Sequence, residues 1–186
     1  NKTSQAGLVR HFNAVADAVG LPMILYNVPS RTGMNIQPET YAELAKHPLI
    51  VATKEASGNV SAIAKTAALC GDELAIYSGN DDQIVPILSL GGAGVISVLS
   101  NLLPKQTSLL CKKFFDGDIK GSAEMQYKYL PLAHALFSEV NPIPVKAAMA
   151  AMGFCENFLR LPLTEMDEEK RQILLQEMRK VGIKTV

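Results

Sequence analysis

These 186 residues carry no excess charge of either sign: Lys+Arg and Asp+Glu both total 18, so the formal net charge is zero. There is no basic surplus to draw a polyanion and no like-charge block, which argues against nucleic acid as a partner. Cysteine is scarce. Cys70, Cys111 and Cys155 are widely spaced and odd in number, which fits neither a disulfide framework nor a metal cluster. Buried free thiols in a reducing compartment are expected. His11, His47 and His134 share no spacing and are read as surface or packing residues. No apolar run is long enough to span a bilayer, and no secretory signal is visible. The chain does not open with Met, so its true N terminus is expected to lie outside the sequence shown. A soluble cytoplasmic protein, with no membrane or nucleic-acid partner, is the expectation. The hydrophobic content of 48% suits a globular core, and the length suits one domain or one and a half.

Short apolar runs alternate with helical patterns through the first hundred residues. Thr3 or Ser4 caps a helix whose apolar face is Leu8, Phe12, Val15, Ala16 and Val19, and Gly20 stands where a terminating glycine belongs. A strand follows at Met23–Tyr26. Pro38 opens a second helix and Pro48 ends it. A second strand runs from Ile50 to Lys54. Asn59 caps a helix that closes at Gly71, and Leu74–Tyr77 is a third strand. Asp81 or Asp82 caps a helix that stops at Gly91-Gly92, and Val95–Val98 is a fourth strand. Continuous apolar strands alternating with helices argue for a parallel sheet covered by helices. This pattern alone does not separate a doubly wound sheet from a barrel.

Beyond Asn101 the pattern is all helical. Pro104 starts one helix and Gly117 breaks it. A long helix is expected over Ile119–Glu139, another over Pro142–Met152, and a charged last helix opens at Thr164 or Asp167. In the run Asp167-Glu168-Glu169-Lys170-Arg171 the acids sit favourably near that helix start. Lys146 is read as a helix-surface residue. Gly91-Gly92-Ala93-Gly94 precedes a strand rather than opening a helix, so it reads as a stop and turn and not as a phosphate cradle.

The chain is organised around Ile50-Val51-Ala52-Thr53-Lys54-Glu55-Ala56-Ser57-Gly58-Asn59, a buried strand that ends in a lysine and a turn cluster. A lysine at the lip of a buried strand is poorly solvated, which lowers its pKa. Its neutral amine is a nucleophile that forms Schiff bases with carbonyl compounds. On this segment alone the plainer reading is a lysine that snorkels to solvent. One crossover upstream, Met23-Ile24-Leu25-Tyr26 is another short strand, closed by Asn27-Val28-Pro29-Ser30-Arg31-Thr32-Gly33. Parallel neighbours need a crossover of this size and lie roughly 5 Å apart. Tyr26 and Lys54 then emerge at the same end, and a phenol beside an amine is a proton-transfer pair. Arg31 follows on the loop, where a guanidinium can hold a carboxylate bidentately. The plainer alternatives are a packed core tyrosine and a solvated loop arginine.

The segments Ile24–Gly33 and Lys54–Asn59 resemble the signature segments of the dihydrodipicolinate synthase family, pyruvate-dependent class I aldolases that also include N-acetylneuraminate lyase. Similar matches are Ser78-Gly79-Asn80-Asp81, Gly91–Val98, Asn141–Lys146 and the opening Asn1–Leu8. The resemblance covers the whole sequence, but it begins after the family's fourth strand. It implies an α/β chain forming the C-terminal half of a (β/α)8 TIM barrel followed by a helical C-terminal domain. Residues 1–116 would be the second half-barrel (strands five to eight of the family) and residues 117–186 the helical domain.

The resemblance further implies a lyase that condenses pyruvate with aspartate semialdehyde to give 4-hydroxy-tetrahydrodipicolinate, in lysine and diaminopimelate biosynthesis. Lys54 would form the Schiff base and Tyr26 would shuttle protons. Arg31 would hold the semialdehyde carboxylate, and Gly79 and Ile96 would line the pyruvate pocket through backbone groups. No metal or cofactor is implied. The family is typically a homotetramer. Its Thr-Thr pair at the pyruvate carboxylate, the tyrosine lent between subunits and most of its lysine-inhibition site belong to the half not matched. Other members lack an arginine at the position of Arg31 because their substrates are polyols. The alternatives are another pyruvate-dependent aldolase, for N-acetylneuraminate or a keto-deoxy sugar, or a catalytically inactive fragment.

Overall fold

A computed structural model describes residues 2–186. Asn1, the first residue of the Asn1–Leu8 segment, lies outside the described residues. The chain forms two compact units, one ending at Ile96 and the other running from Ser97 to Val186.

The first unit is built on a four-stranded parallel sheet. Helix α1 (Gln5–Val19) starts where the Ser4 hydroxyl accepts the Gly7 N–H, and it ends at Gly20, whose positive φ of 67° closes the last turn. Strand β1 (Met23–Asn27) follows, then a single helical turn α2 (Pro29–Thr32) and helix α3 (Pro38–Leu44). Strand β2 (Ile50–Glu55) leads to helix α4 (Val60–Cys70), where Asn59 Oδ1 accepts the Ala62 N–H. Strand β3 (Ala75–Ser78), helix α5 (Ile84–Ser89) and strand β4 (Gly94–Val95) complete the unit. The strands lie in chain order β1-β2-β3-β4, all parallel. Leu8 and Ala16 of α1 pack with Leu25, Tyr41, Leu44 and Ile50 in one apolar cluster.

Strand alternation gives the sheet two unlike faces. Leu25, Asn27, Thr53, Glu55, Ile76 and Ser78 point to one face and are all buried. On the other, Ile24 is 51% and Tyr26 45% exposed, and Lys54 and Tyr77 are half-buried. Parallel sheets are ordinarily covered on both faces; this one is covered on one.

Several element ends differ from those expected. The fourth strand is two residues, not Val95–Val98. The Ile96 N–H still donates to the Ser78 carbonyl, but Ser97 then takes over. Its hydroxyl accepts the Ser100 N–H and its carbonyl accepts the Ser100 hydroxyl, which draws the chain into a 3-10 turn at Leu99–Asn101. Helix α3 stops at Leu44, before Pro48. Asp81 opens a 3-10 turn (Asp81–Gln83) rather than capping α5 directly.

The second unit holds helices α6 (Pro104–Phe115), α7 (Ile119–Ala135), α8 (Ile143–Ala151) and α9 (Glu168–Lys180). Asp118 caps α7 and Asp167, not Thr164, caps α9. α7 ends at Ala135 rather than Glu139, because the Ala135 carbonyl is taken by both the N–H and the hydroxyl of Ser138. The core of this unit includes Leu99, Leu103, Leu132, Leu136, Ala148, Leu174 and Met178. Among the described residues no helix is long and apolar enough to cross a membrane, and no group of three His, Cys, Asp or Glu side chains could hold a metal ion.

Candidate active site

The register of the sheet brings the expected pair together. Tyr26 on β1 is the Cα partner of Lys54 on β2, and Lys54 is in turn the partner of Tyr77 on β3. The Lys54 ammonium lies over the Tyr26 ring, 4.3 Å from its centroid. The contact is with the ring face, which by itself favours the charged amine. Burial pushes the other way, and the Lys54 pKa falls below the usual lysine range. The Arg31 charge pushes the same way and the Asp81 charge pushes back.

Arg31 is exposed in the last turn of α2, which Pro29 opens and Gly33 closes at a φ of 64°. It sits close enough for its charge to act on Lys54. Gly79 follows β3 and donates its N–H to the Glu55 carbonyl at 2.8 Å. A Cβ at Gly79 would stand 2.8 Å from the Ala56 Cβ and 3.2 Å from Lys54 Cγ, so only glycine fits beside the lysine stem. Ile96 follows β4 with its side chain 36% exposed. The N–H groups of Gly79 and Ile96 are both held within the sheet.

A cleft of about 510 Å³ opens between the first turns of α1 and the end of β1, walled by Lys2, Thr3, His11, Tyr26 and Met34 among others. Lys54 is not one of its walls, so the cleft meets the pair through Tyr26 alone. Two features escaped the sequence reading. Asp81, taken there for a helix cap, is 2% exposed and its charge acts on Lys54. Asn27, Tyr41, Thr53 and Glu55 form a buried polar set directly behind the pair. The alternation of Lys54 and Glu55 was the available signal, because it turns an acid toward the buried face.

Fold and site define the class as an α/β protein whose candidate catalytic groups cluster at the C-terminal ends of parallel strands. The sequence model of the dihydrodipicolinate synthetase family matches residues 1–181, and the chain belongs to that family. It is 58% identical over 183 residues to a 4-hydroxy-tetrahydrodipicolinate synthase of Clostridium perfringens, covering 98% of this chain and 63% of that protein. A synthase of the same name from Caldicellulosiruptor bescii is 57% identical and is covered over 62% of its length. The crystal structure of dihydrodipicolinate synthase from Thermotoga maritima superposes with a TM-score of 0.96 at 42% identity, covering 98% of this chain and 63% of that one. The Aquifex aeolicus structure gives 0.97 at 39% identity, covering 100% and 64%. The chain therefore spans a little under two-thirds of the curated relatives it matches.

Proposed function

We propose that this chain carries the Schiff-base centre of a lyase that condenses pyruvate with aspartate semialdehyde to give 4-hydroxy-tetrahydrodipicolinate. The observation that carries the reading is the pairing of Lys54 with Tyr26 at adjacent strand ends, with burial holding the amine's pKa down. Neutral Lys54 attacks the ketone carbon of pyruvate, and loss of water leaves a protonated imine. The imine draws electrons, so a proton leaves the methyl group and an enamine forms. The enamine carbon attacks the aldehyde of the second substrate. The amine of that substrate then displaces Lys54 from the imine and closes the ring. Tyr26 shuttles the protons, and Arg31 at the mouth holds the semialdehyde carboxylate. Gly79 and Ile96 line the pyruvate end through backbone groups. The imine itself is the electron sink, so no step needs a metal or cofactor.

Residues 1–116 read as the second half of a (β/α)8 barrel and residues 117–186 as a helical domain. The parallel order β1-β2-β3-β4 and the bare face carrying Ile24 and Tyr26 support the half-barrel. The barrel reading counts α6 as the crossover after the last strand, although α6 packs on α7. A homo-oligomer, tetrameric by family resemblance, is part of this reading. Arg31 favours an acidic second substrate over the polyols of other pyruvate aldolases. A second reading, a fragment inactive alone, is favoured by the 63% span.

The test is borohydride trapping with pyruvate, read by intact mass and peptide mapping. The expected result is one reduced pyruvyl adduct on Lys54 that disappears in Lys54→Ala. Trapping should rise with pH as the amine loses its proton, and level off below the usual lysine pKa. No adduct, either on this chain or on a protein extended to the length of its relatives, overturns the assignment. An adduct without turnover selects the second reading.

A further inference from the structure

Asn27 and Glu55 immediately follow Tyr26 and Lys54, and they are themselves Cα partners across β1 and β2. Alternation turns them to the buried face, where they are 2% and 5% exposed. The proposed chemistry uses neither. Glu55 Oε1 accepts the Ser57 N–H at 2.7 Å, and Oε2 accepts the Tyr41 hydroxyl at 3.1 Å. Asn27 Nδ2 donates to both oxygens, at 3.2 and 3.0 Å. These partners are all neutral: a backbone N–H, a phenol and an amide. A carboxylate buried without a cation is costly unless its hydrogen bonds are well made. The surroundings are built to make them. Asn27 Oδ1 accepts the Ile36 N–H, and Asn27 Nδ2 also reaches Asn35 Oδ1. The Thr53 hydroxyl donates to Tyr41, which orients the phenol toward Glu55. Burial and the Glu55 charge push the Tyr41 pKa far above the usual phenol range, so Tyr41 remains a donor.

The backbone adds two ties at the same level. The Ala56 N–H donates to the Asn27 carbonyl, and the Gly79 N–H donates to the Glu55 carbonyl. Three strand ends therefore meet at Glu55. The other end of the β1–β2 ladder is irregular, with a register shift between Met23 and Ile24. A one-residue slip of β1 against β2 would turn one member of the Tyr26–Lys54 pair to the other face and separate the two.

We propose that Glu55 is a positioning residue: its carboxylate clamps Asn27 of β1 and Tyr41 of α3, and so fixes the register that seats Lys54 against Tyr26 and keeps the amine shielded from water. The proposal rests on the Schiff-base reading for its consequence in catalysis, but not for its geometry. The groups that face Lys54 are Tyr26 from β1, Tyr77 as its register partner on β3, Arg31 from α2 and the charge of Asp81 before α5. Substituting Glu55 changes none of these side chains and acts on Lys54 through how the strands seat it.

The test is competitive acetylation of lysines across a pH series, read at the Lys54 peptide, since only the neutral amine reacts. Glu55→Gln puts an amide N–H against the donors of Asn27 and Tyr41. With the clamp open, Lys54 gains water and its labelling midpoint rises by about one pH unit, roughly a tenfold loss of neutral amine at pH 7. Tyr41→Phe removes a single donor, keeps the ring packing and should move the midpoint the same way by less. The double variant Asn27→Asp/Glu55→Gln restores an acid–amide pair in reverse and should recover at least half the shift. Loss of fold alone would bring Lys54 to the same midpoint as the exposed lysines, and the reverse double variant would not recover it. If Glu55→Gln does not fold, Tyr41→Phe decides. Folded variants with the wild-type midpoint overturn the clamp. Absence of a pyruvate adduct in the unsubstituted protein would sink the Schiff-base reading, while the acetylation profile would still decide the clamp.

Discussion

In the β/α unit one set of buried polar side chains, at the level of Lys54, bonds from one element to another: Asn27 to Glu55, Tyr41 to Glu55, Thr53 to Tyr41. In the helical unit the buried hydroxyls of Thr107 and Ser122 bond to the carbonyls of Leu103 and Leu110. The first is a connected set of side chains that ties three elements together. The second is a single bond to a carbonyl, at the start of α6 for Thr107 and from α7 to α6 for Ser122, and the core around it is apolar. Buried polar groups are tolerated when paired, but each mispairing costs about 1–3 kcal/mol. The β/α unit concentrates that exposure to error at the level of Lys54, and the helical unit, with Thr107, Ser122 and Gln126 buried, carries less of it. This places the demand for fine geometry in one unit and the demand for plain stability in the other.

The comparison breaks most visibly in the helical core. Leu174 of α9 is fully buried among Leu132, Leu136 and Met178 in the same cluster. Leu174→Ala should cost about 2–5 kcal/mol through lost burial and the cavity left behind. Hydrogen exchange in α7 to α9 would read the loss. The acetylation midpoint of Lys54 should stay where it is. A shifted midpoint would show that the division of labour between the units is wrong.

Tyr26→Phe is the reverse case. Tyr26 is 45% exposed, and its ring already faces Lys54. Loss of the hydroxyl should leave stability within about 0.5 kcal/mol, as expected for an exposed position. If Tyr26 moves the protons, pyruvate imine formation should slow by about a hundredfold, at the low end for a general acid–base group. Single-turnover trapping with borohydride would measure it. An unchanged rate would return Tyr26 to a packing role against the lysine.

Much of this division is legible in the sequence. The β/α alternation, the four strand positions, the cap at Asn59, and the caps at Ser4 and Asp167 as one of two candidates each, follow from local signals: apolar period, glycine stops and side chains that accept N–H bonds. The Tyr26–Lys54 pairing follows from the crossover length and the strand-end positions. What was not legible depends on the partner of a backbone group. Ser97 curtails β4 because Ser100 bonds back to it, and Ser138 ends α7 by taking the Ala135 carbonyl. Neither competes visibly in a hydrophobic pattern. Glu55 was hidden for another reason. An acid after Lys54 reads as a solvated strand end until Asn27 and Tyr41, which lie 28 and 14 residues away in sequence, are seen to meet it.

The smallest effect is expected at the start of α9. Asp167 Oδ1 accepts the Lys170 N–H at 3.2 Å, and Glu168 and Glu169 occupy the first turn while Arg179 and Lys180 occupy the last. Charges of this order suit the helix dipole at both ends. Glu139 secures the same corner, accepting the Asp167 N–H at 3.2 Å and lying 3.4 Å from Lys170 Nζ. Asp167→Ala removes one of these attachments and leaves Glu139 in place, so the loss should be about 1 kcal/mol or less. Asp167→Asn keeps the acceptor and should recover most of it. Denaturant unfolding would resolve both. A loss in Asp167→Ala comparable with that of Leu174→Ala would mean that a polar attachment, and not the apolar core, governs this helix, and the contrast with the β/α unit would then fail at its weakest point.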